Sequence, residues 1–305
     1  MIVSGGMIHL SERGRRSPEG KDEQMTLMSN GQHIASGRNY IDPYRQDRGE
    51  RLNILCAVVA LTILALVLLV WQFLPPALGV PKFIIPTVTD MISELGRMYR
   101  REDLVANTLS TAWYTLLGFA IGSALGAAIG YLLGLSEFWE RVLSPYILAL
   151  QIAPKVAFAP LFIMWFGYNA TPKLLVTVLI VFFPVLVNTV AGLAQTTAMQ
   201  RDLMRTYAAG YWQSFFKLRL PAAMPFIFNG LKISTTLALV GAIVAEFFGS
   251  PTLGMGFRIS TSVGQLSLDM VWAEIVVAAL AGTVFYGAVA TVEKAVTFWH
   301  PSQRG

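Results

Sequence analysis

Apolar residues in this chain gather into long uninterrupted runs instead of short alternating or amphipathic stretches. The first run, Ile54 to Leu74, covers roughly 31 Å at about 1.5 Å per residue and so matches a hydrocarbon core of about 30 Å. Pro75 and Pro76 are expected to end it. Further runs occupy about Thr108 to Leu135, Val142 to Tyr168, Lys173 to Leu193, Pro225 to Phe248 and Met270 to Glu293, and two stretches, Leu104 to Ser136 and Leu174 to Gln200, hold no charged residue at all. The pattern predicts an all-α, polytopic membrane bundle of six transmembrane helices. An even number of crossings leaves both ends on one side.

Between the runs the pattern changes. Val80 to Asp103 mixes Asp90, Glu94, Arg97, Arg100 and Arg101 with Val88, Ile92, Leu95 and Met98, which predicts an amphipathic helix lying outside the membrane core. A Gly-rich connection, Gly249 to Leu268, separates the last two runs. Residues 1–50 are polar and lack any sustained apolar period, so they are expected to form a disordered cytoplasmic tail. The first apolar run starts too late for a cleaved signal peptide and is expected to remain as an anchor. The chain thus divides into a tail, 1–50, and a membrane domain, 51–298, with a long polar-flanked loop at 195–221.

Inside the second run Gly118, Gly122, Gly126, Gly130 and Gly134 recur every four residues. In lipid such a ribbon lets another helix come close, so a packing face is expected instead of a pore lining. Pro145, Pro154 and Pro160 in the third run and Pro184 in the fourth are expected to kink their helices.

Composition sharpens this picture: 54% of the 305 residues are hydrophobic and 13% charged, against about 25% charged in a soluble domain. The net charge of +5 comes without a basic patch interleaved with aromatics, which argues against nucleic acid. Orientation accounts for it. With both termini in the cytoplasm the inner segments carry fifteen Lys/Arg, and the outer ones carry six: Lys82, Arg97, Arg100, Arg101, Lys173 and Arg258. The single cysteine, Cys56, and the three histidines, His9, His33 and His300, leave no basis for a disulfide, a metal centre or a nucleophile–base pair. No metal site and no enzymatic activity are expected.

Lys155, Lys232 and Glu246 fall within apolar runs, where a charge costs about 2.5–3.5 kcal/mol. Lys232 can snorkel to the inner boundary. Lys155, just after Pro154, is a candidate cation facing an aqueous cavity, there to meet an anionic substrate or to pair with Glu246. Gln151 and Asn188 either join that pathway or make ordinary interhelical hydrogen bonds.

The loop Gln195 to Pro221 places Leu203, Met204, Tyr207, Ala208, Tyr211, Phe215 and Leu218 at three- and four-residue intervals, with Asp202, Arg205 and Lys217 between them. An exposed amphipathic helix of this kind needs a groove on a partner. Asp202-Leu203-Met204, Ala208 and Leu220-Pro221-Ala222-Ala223-Met224-Pro225 follow, in order, a pattern of E-A-A, then G, then L-P-x-x-x-P, although Asp replaces Glu, Leu-Met replaces Ala-Ala, and Ala208 stands where glycine is usual. With Trp212-Gln213, the phrase Gln151 to Ala157, Trp165-Phe166-Gly167, Asn229-Gly230-Leu231-Lys232, Val244-Ala245-Glu246-Phe247 and Leu253-Gly254-Met255-Gly256, the chain resembles the inner-membrane permeases of ABC importers, in the branch for nitrate, sulfonate, taurine and thiamine precursors. The resemblance covers roughly Pro86 to Glu293.

The resemblance implies a type I ABC importer permease-like fold in the bacterial inner membrane. It implies a second copy of the permease, two ATP-binding subunits and a periplasmic substrate-binding protein. Asp202, Leu203, Met204, Tyr207, Ala208, Ala209, Gly210 and Phe215 would contact the ATPase. The chain has no G-x-x-x-x-G-K-S/T loop, so no cofactor is expected on it and ATP-Mg belongs to the partner ATPase. The imported solute would be small and polar or anionic, either sulfonate-, taurine- or nitrate-like or a vitamin precursor, with Gln151 to Ala157 leaning to the latter. A secondary transporter or channel is the alternative.

Overall fold

The computed structural model describes residues 43–82, 84–101, 104–249 and 253–298. The expected tail up to residue 42, and all three histidines, lie outside the described residues. Residues up to Val67 and those from Leu68 onward form separate units. Among the described residues the chain is helical and contains no strand. The elements are α1 (Pro43–Ala77), α2 (Val88–Arg101), α3 (Leu104–Gly134), α4 (Glu137–Ile152), a 3-10 turn (Lys155–Phe158), α5 (Ala159–Phe166), α6 (Ala170–Leu193), α7 (Ala198–Thr206), α8 (Tyr211–Ser214), a π-turn (Phe215–Arg219), α9 (Leu220–Gly249), α10 (Met255–Gly264) and α11 (Leu268–Val296).

The first helix departs from expectation at both ends. It already begins at Pro43, and Pro75 and Pro76 sit within its last turns instead of stopping it. The chain turns away only at Gly79, whose φ of +70° favours glycine. Ile54 to Val70 expose apolar side chains on every face, as lipid contact allows.

α2 is the expected amphipathic helix. Thr87 caps it, its hydroxyl accepting from the Asp90 N–H at 3.2 Å while the Asp90 carboxylate accepts from the Thr87 N–H at 3.2 Å, a capping box, and from the Thr87 hydroxyl at 2.7 Å. The hydrogen bond from the Thr87 hydroxyl, with a second from Lys82, holds the Asp90 carboxyl below the ordinary carboxylate range.

The glycine ribbon of α3 is a packing face. A Cβ on Gly122 would lie 2.8 Å from the Val178 carbonyl oxygen, on Gly126 2.6 Å from that of Phe182, and on Gly130 2.9 Å from that of Leu186. Opposite the ribbon stand Thr177, Val181, Val185, Thr189 and Leu193 of α6, also four apart. Gly118 meets Thr177 and Gly134 meets Leu193, so the two helices run in the same direction. The chain must therefore cross back once between them.

That return is made by a broken element. α4 and the segment Lys155–Phe166 meet at 75°, with Ala153 and Pro154 extended at the break. Among the described residues five helices are long and apolar enough to span a bilayer, and the bent pair as one span makes six. Pro160 is no kink, for it lies in the first turn of α5, where its missing N–H costs nothing. The Gly-rich connection also holds a helix not anticipated from sequence, α10. α6 forms the centre, packed on one side by α3 and on another by α9, with Val181, Val185 and Ala238 fully buried between them.

Candidate functional site

The loop after α6 begins with a firm helix. Thr197 accepts from the Gln200 N–H at 3.2 Å while the Gln200 side chain accepts from the Thr197 N–H at 3.0 Å, closing the start of α7. At its end the Ala209 N–H reaches Met204 O at 3.0 Å and the Ala208 N–H reaches Arg205 O at 2.9 Å, a Schellman closure. That closure needs a left-handed residue, and Ala208 supplies it with φ of 52°. The family's usual glycine at this position thus has a physical cause.

On this capped helix Met199, Leu203 and Tyr207 stand 81%, 54% and 75% exposed. Spaced by four, they form one apolar ridge that no element among the described residues covers. Met199 was not among the residues singled out from sequence, though its place four before Leu203 is the signal that marks it. Asp202 is exposed and pairs with Arg205 at 3.1 Å. Met204 and Ala209 are half-buried, whereas Gly210 starts α8, its N–H donating to the Gln213 side chain at 3.2 Å. Phe215 turns away from the ridge, with its ring 4.6 Å from that of Tyr131 on α3.

The hydroxyls of Tyr131 and Tyr211, 2.9 Å apart, tie the loop to α3 beside that ring contact, while Arg201 donates to Thr196 O at 3.1 Å within the loop itself. From α8 the chain enters α9 through the π-turn, a helix irregularity often found at functional sites.

The sequence-predicted pathway residues separate into three places. Gln151 and Lys155 come together at the break in the third span. There the Lys155 ammonium donates to the Gln151 backbone carbonyl at 2.6 Å and lies 4.9 Å from the centre of the Phe183 ring. The Gln151 Oε1 is buried without a hydrogen-bond partner. Asn188 donates to Pro184 O at 2.8 Å and accepts from Asn229 at 3.2 Å, linking α6 to α9. Lys232 does not simply snorkel, since it pairs with Glu293 at 2.8 Å.

Glu246 pairs not with Lys155 but with Lys173, 3.2 Å away and itself buried. Lys173 had been counted with the outer loop. Its ammonium also lies 4.1 Å from the centre of the Tyr114 ring. The Glu246 carboxylate accepts further bonds from Thr111 at 2.9 Å and from the Gly256 N–H at 2.9 Å. Asn107 accepts from the Gly254 N–H and Thr111 from the Met255 N–H, both at 2.9 Å. One carboxylate thus draws α3, α6, α9 and the start of α10 together, and it has enough donors to make a buried ion pair tolerable.

Residues 118–298 match the family of binding-protein-dependent transport system inner membrane components. The chain belongs to this family. It is 35% identical to the formylaminopyrimidine transport permease of Halalkalibacterium halodurans, over 62% of this chain and 77% of that protein. It is 31% identical to the riboflavin transport system permease of Chloroflexus aurantiacus, over 78% and 89%, and 28% identical to the taurine transport system permease of Escherichia coli, over 61% and 64%. As a binding-protein-dependent transport permease, the chain is a multi-pass inner-membrane component of an ABC transport system for small solutes. The all-helical membrane fold agrees with that family, with five apolar spans among the described residues, or six with the bent pair taken as one.

Proposed function

We propose that the chain is the membrane pathway of an ATP-driven importer, which brings a small polar or anionic solute into the cytoplasm. The reading rests on the bare ridge of Met199, Leu203 and Tyr207 on a helix closed at both ends. A rigid, greasy helix at the root of a membrane bundle is the shape that fills a partner's groove, and a secondary carrier or channel has no use for it. Two copies of this chain, two ATP-binding subunits and a periplasmic substrate-binding protein form the working assembly. ATP and Mg sit on the ATPase, and this chain holds no cofactor. Both termini and the α7 loop face the cytoplasm, as the Lys/Arg distribution favours.

Closure of the ATPases then moves α7 as a lever, and the bundle rocks between two packings of similar energy. The solute meets Lys155 and Gln151 at the break in the third span, where an ammonium and an unpaired carbonyl oxygen suit a polar or anionic group. The relatives' names favour a vitamin precursor or a sulfonate as that solute.

Leu203→Glu and Tyr207→Glu test the ridge. Each is expected to weaken ATPase retention on purification about thirtyfold, the effect of about 2 kcal/mol at a hot-spot residue, and to abolish uptake. Full uptake with no ATPase retained overturns the proposal. In the same cells Lys155→Glu is expected to stop uptake while the ATPase stays bound, and undiminished transport would remove Lys155 from the pathway.

A further inference from the structure

Where α3 ends, α4 begins and α6 reaches the coupling loop, the fold leaves a cleft of about 560 Å³, within the range of ligand sites. Arg141, Arg201, Arg205 and Arg219 line it together with Glu137 and Glu140. Arg141 is engaged by Glu137 at 3.2 Å and Arg205 by Asp202 at 3.1 Å. Arg201 spends one N–H on the Thr196 carbonyl. Arg201 and Arg219, both half-buried and without a carboxylate partner among the described residues, are therefore the guanidinium groups whose charge is left for a ligand.

A second cavity of about 190 Å³ adjoins the first, sharing Glu140 and Val190 with it. Leu133, Ile147, Leu186 and Val187 give this slot an apolar lining, and it runs between α3, α4 and α6 away from the arginines. Charged mouth and apolar slot together have the polarity profile of one amphipathic molecule. The mouth lies at the ends of spans, the level at which lipid headgroups sit.

We propose that this two-part cavity seats one anionic glycerophospholipid, its phosphate on Arg201 and Arg219, headgroup hydroxyls on Glu140, and an acyl chain in the slot. Arginine favours this ligand because its planar fork grips phosphate oxygens in pairs. A soluble anion would leave the slot empty, and an apolar ligand would leave the arginines unpaired. The bound lipid would brace the root of α7 against α4 and α6, the joint through which the loop moves.

The test uses the purified full chain, delipidated and then offered equal amounts of phosphatidylglycerol, phosphatidylethanolamine and phosphatidylcholine, with retained lipid counted by native mass spectrometry. One retained phosphatidylglycerol is expected. Arg201→Gln and Arg219→Gln should each lower its retention about fivefold, the effect of one basic residue at an anionic headgroup. Glu140→Gln should raise it, because the amide oxygen still accepts from a headgroup hydroxyl while the lost charge no longer repels the phosphate, a gain that misfolding cannot produce. Ile147→Trp, which fills the slot, should lower retention with both arginines intact. Equal retention of the three lipids overturns the proposal, as does a phosphatidylglycerol preference that survives loss of both arginines. Equal competition by soluble glycerol phosphate would show that the slot plays no part and would also overturn it. Loss of the lipid once the ATP-binding subunit docks would reassign the cleft to that interface.

Discussion

At Ala208 the backbone turns left-handed so that two N–H groups can close the end of α7. A side chain in that region costs about 1–2 kcal/mol, part of which glycine returns through its freer unfolded state. Ala208→Gly is therefore expected to raise stability by up to about 1 kcal/mol with uptake unchanged, read as slower hydrogen exchange in α7 and a higher thermal midpoint. Lys173 presents the opposite case. Lys173→Met would strand a buried Glu246 carboxylate and should destabilise the chain by about 3–5 kcal/mol, whereas adding Glu246→Gln should restore much of the folded yield. Sequence alone marked Glu246 as a charge in an apolar run but missed its partner. Lys173 opens its own run and so looked like an interfacial residue, and a pairing across 73 residues leaves no local signature.

At the scale of elements, the approach of α3 to α6 depends on what glycine lacks. Gly126→Ala would put a methyl group 2.6 Å from the Phe182 carbonyl oxygen, and neither helix backbone can yield cheaply. A loss of about 1–3 kcal/mol is expected, measured as a lower denaturation midpoint. Gly210→Ala, with nothing within 4 Å of the new carbon, should leave that midpoint in place. The spans and the ribbon were legible because lipid demands long apolar runs and small residues repeat visibly. Helix ends were less so: α1 runs on through Pro75 and Pro76, and Pro160 opens a helix instead of bending one. α10 escaped notice because its glycines resemble a linker, while its fixed position depends on Glu246 and Asn107 from distant helices.

For the whole molecule, motion at the loop has to enter the bundle somewhere. Besides the direct route into α9 through the π-turn, the Tyr131–Tyr211 hydroxyl pair and the ring contact of Tyr131 with Phe215 give a second link, into α3. Tyr131→Phe keeps the ring and removes one hydrogen bond of about 1 kcal/mol. In the reconstituted assembly it is expected to lower solute moved per ATP several-fold while ATPase retention and hydrolysis stay near normal. An unchanged ratio would place the link elsewhere. The α7 loop was readable as an amphipathic unit, because its apolar spacing and its resemblance to a known pattern coincide. Tyr131 was not, since a lone tyrosine in an apolar run says nothing about which loop it touches.

The seam between α3 and α6 works like a cogged rack. Teeth and gaps share one pitch of four residues along both rails, from Gly118 against Thr177 to Gly134 against Leu193. A slip of one full pitch, about 6 Å, would seat each gap over a fresh tooth of similar width, whereas a slip of half a pitch would jam branched carbons into backbone. The bundle is thus barred from gradual sliding along this seam, and any travel there has to come in whole notches.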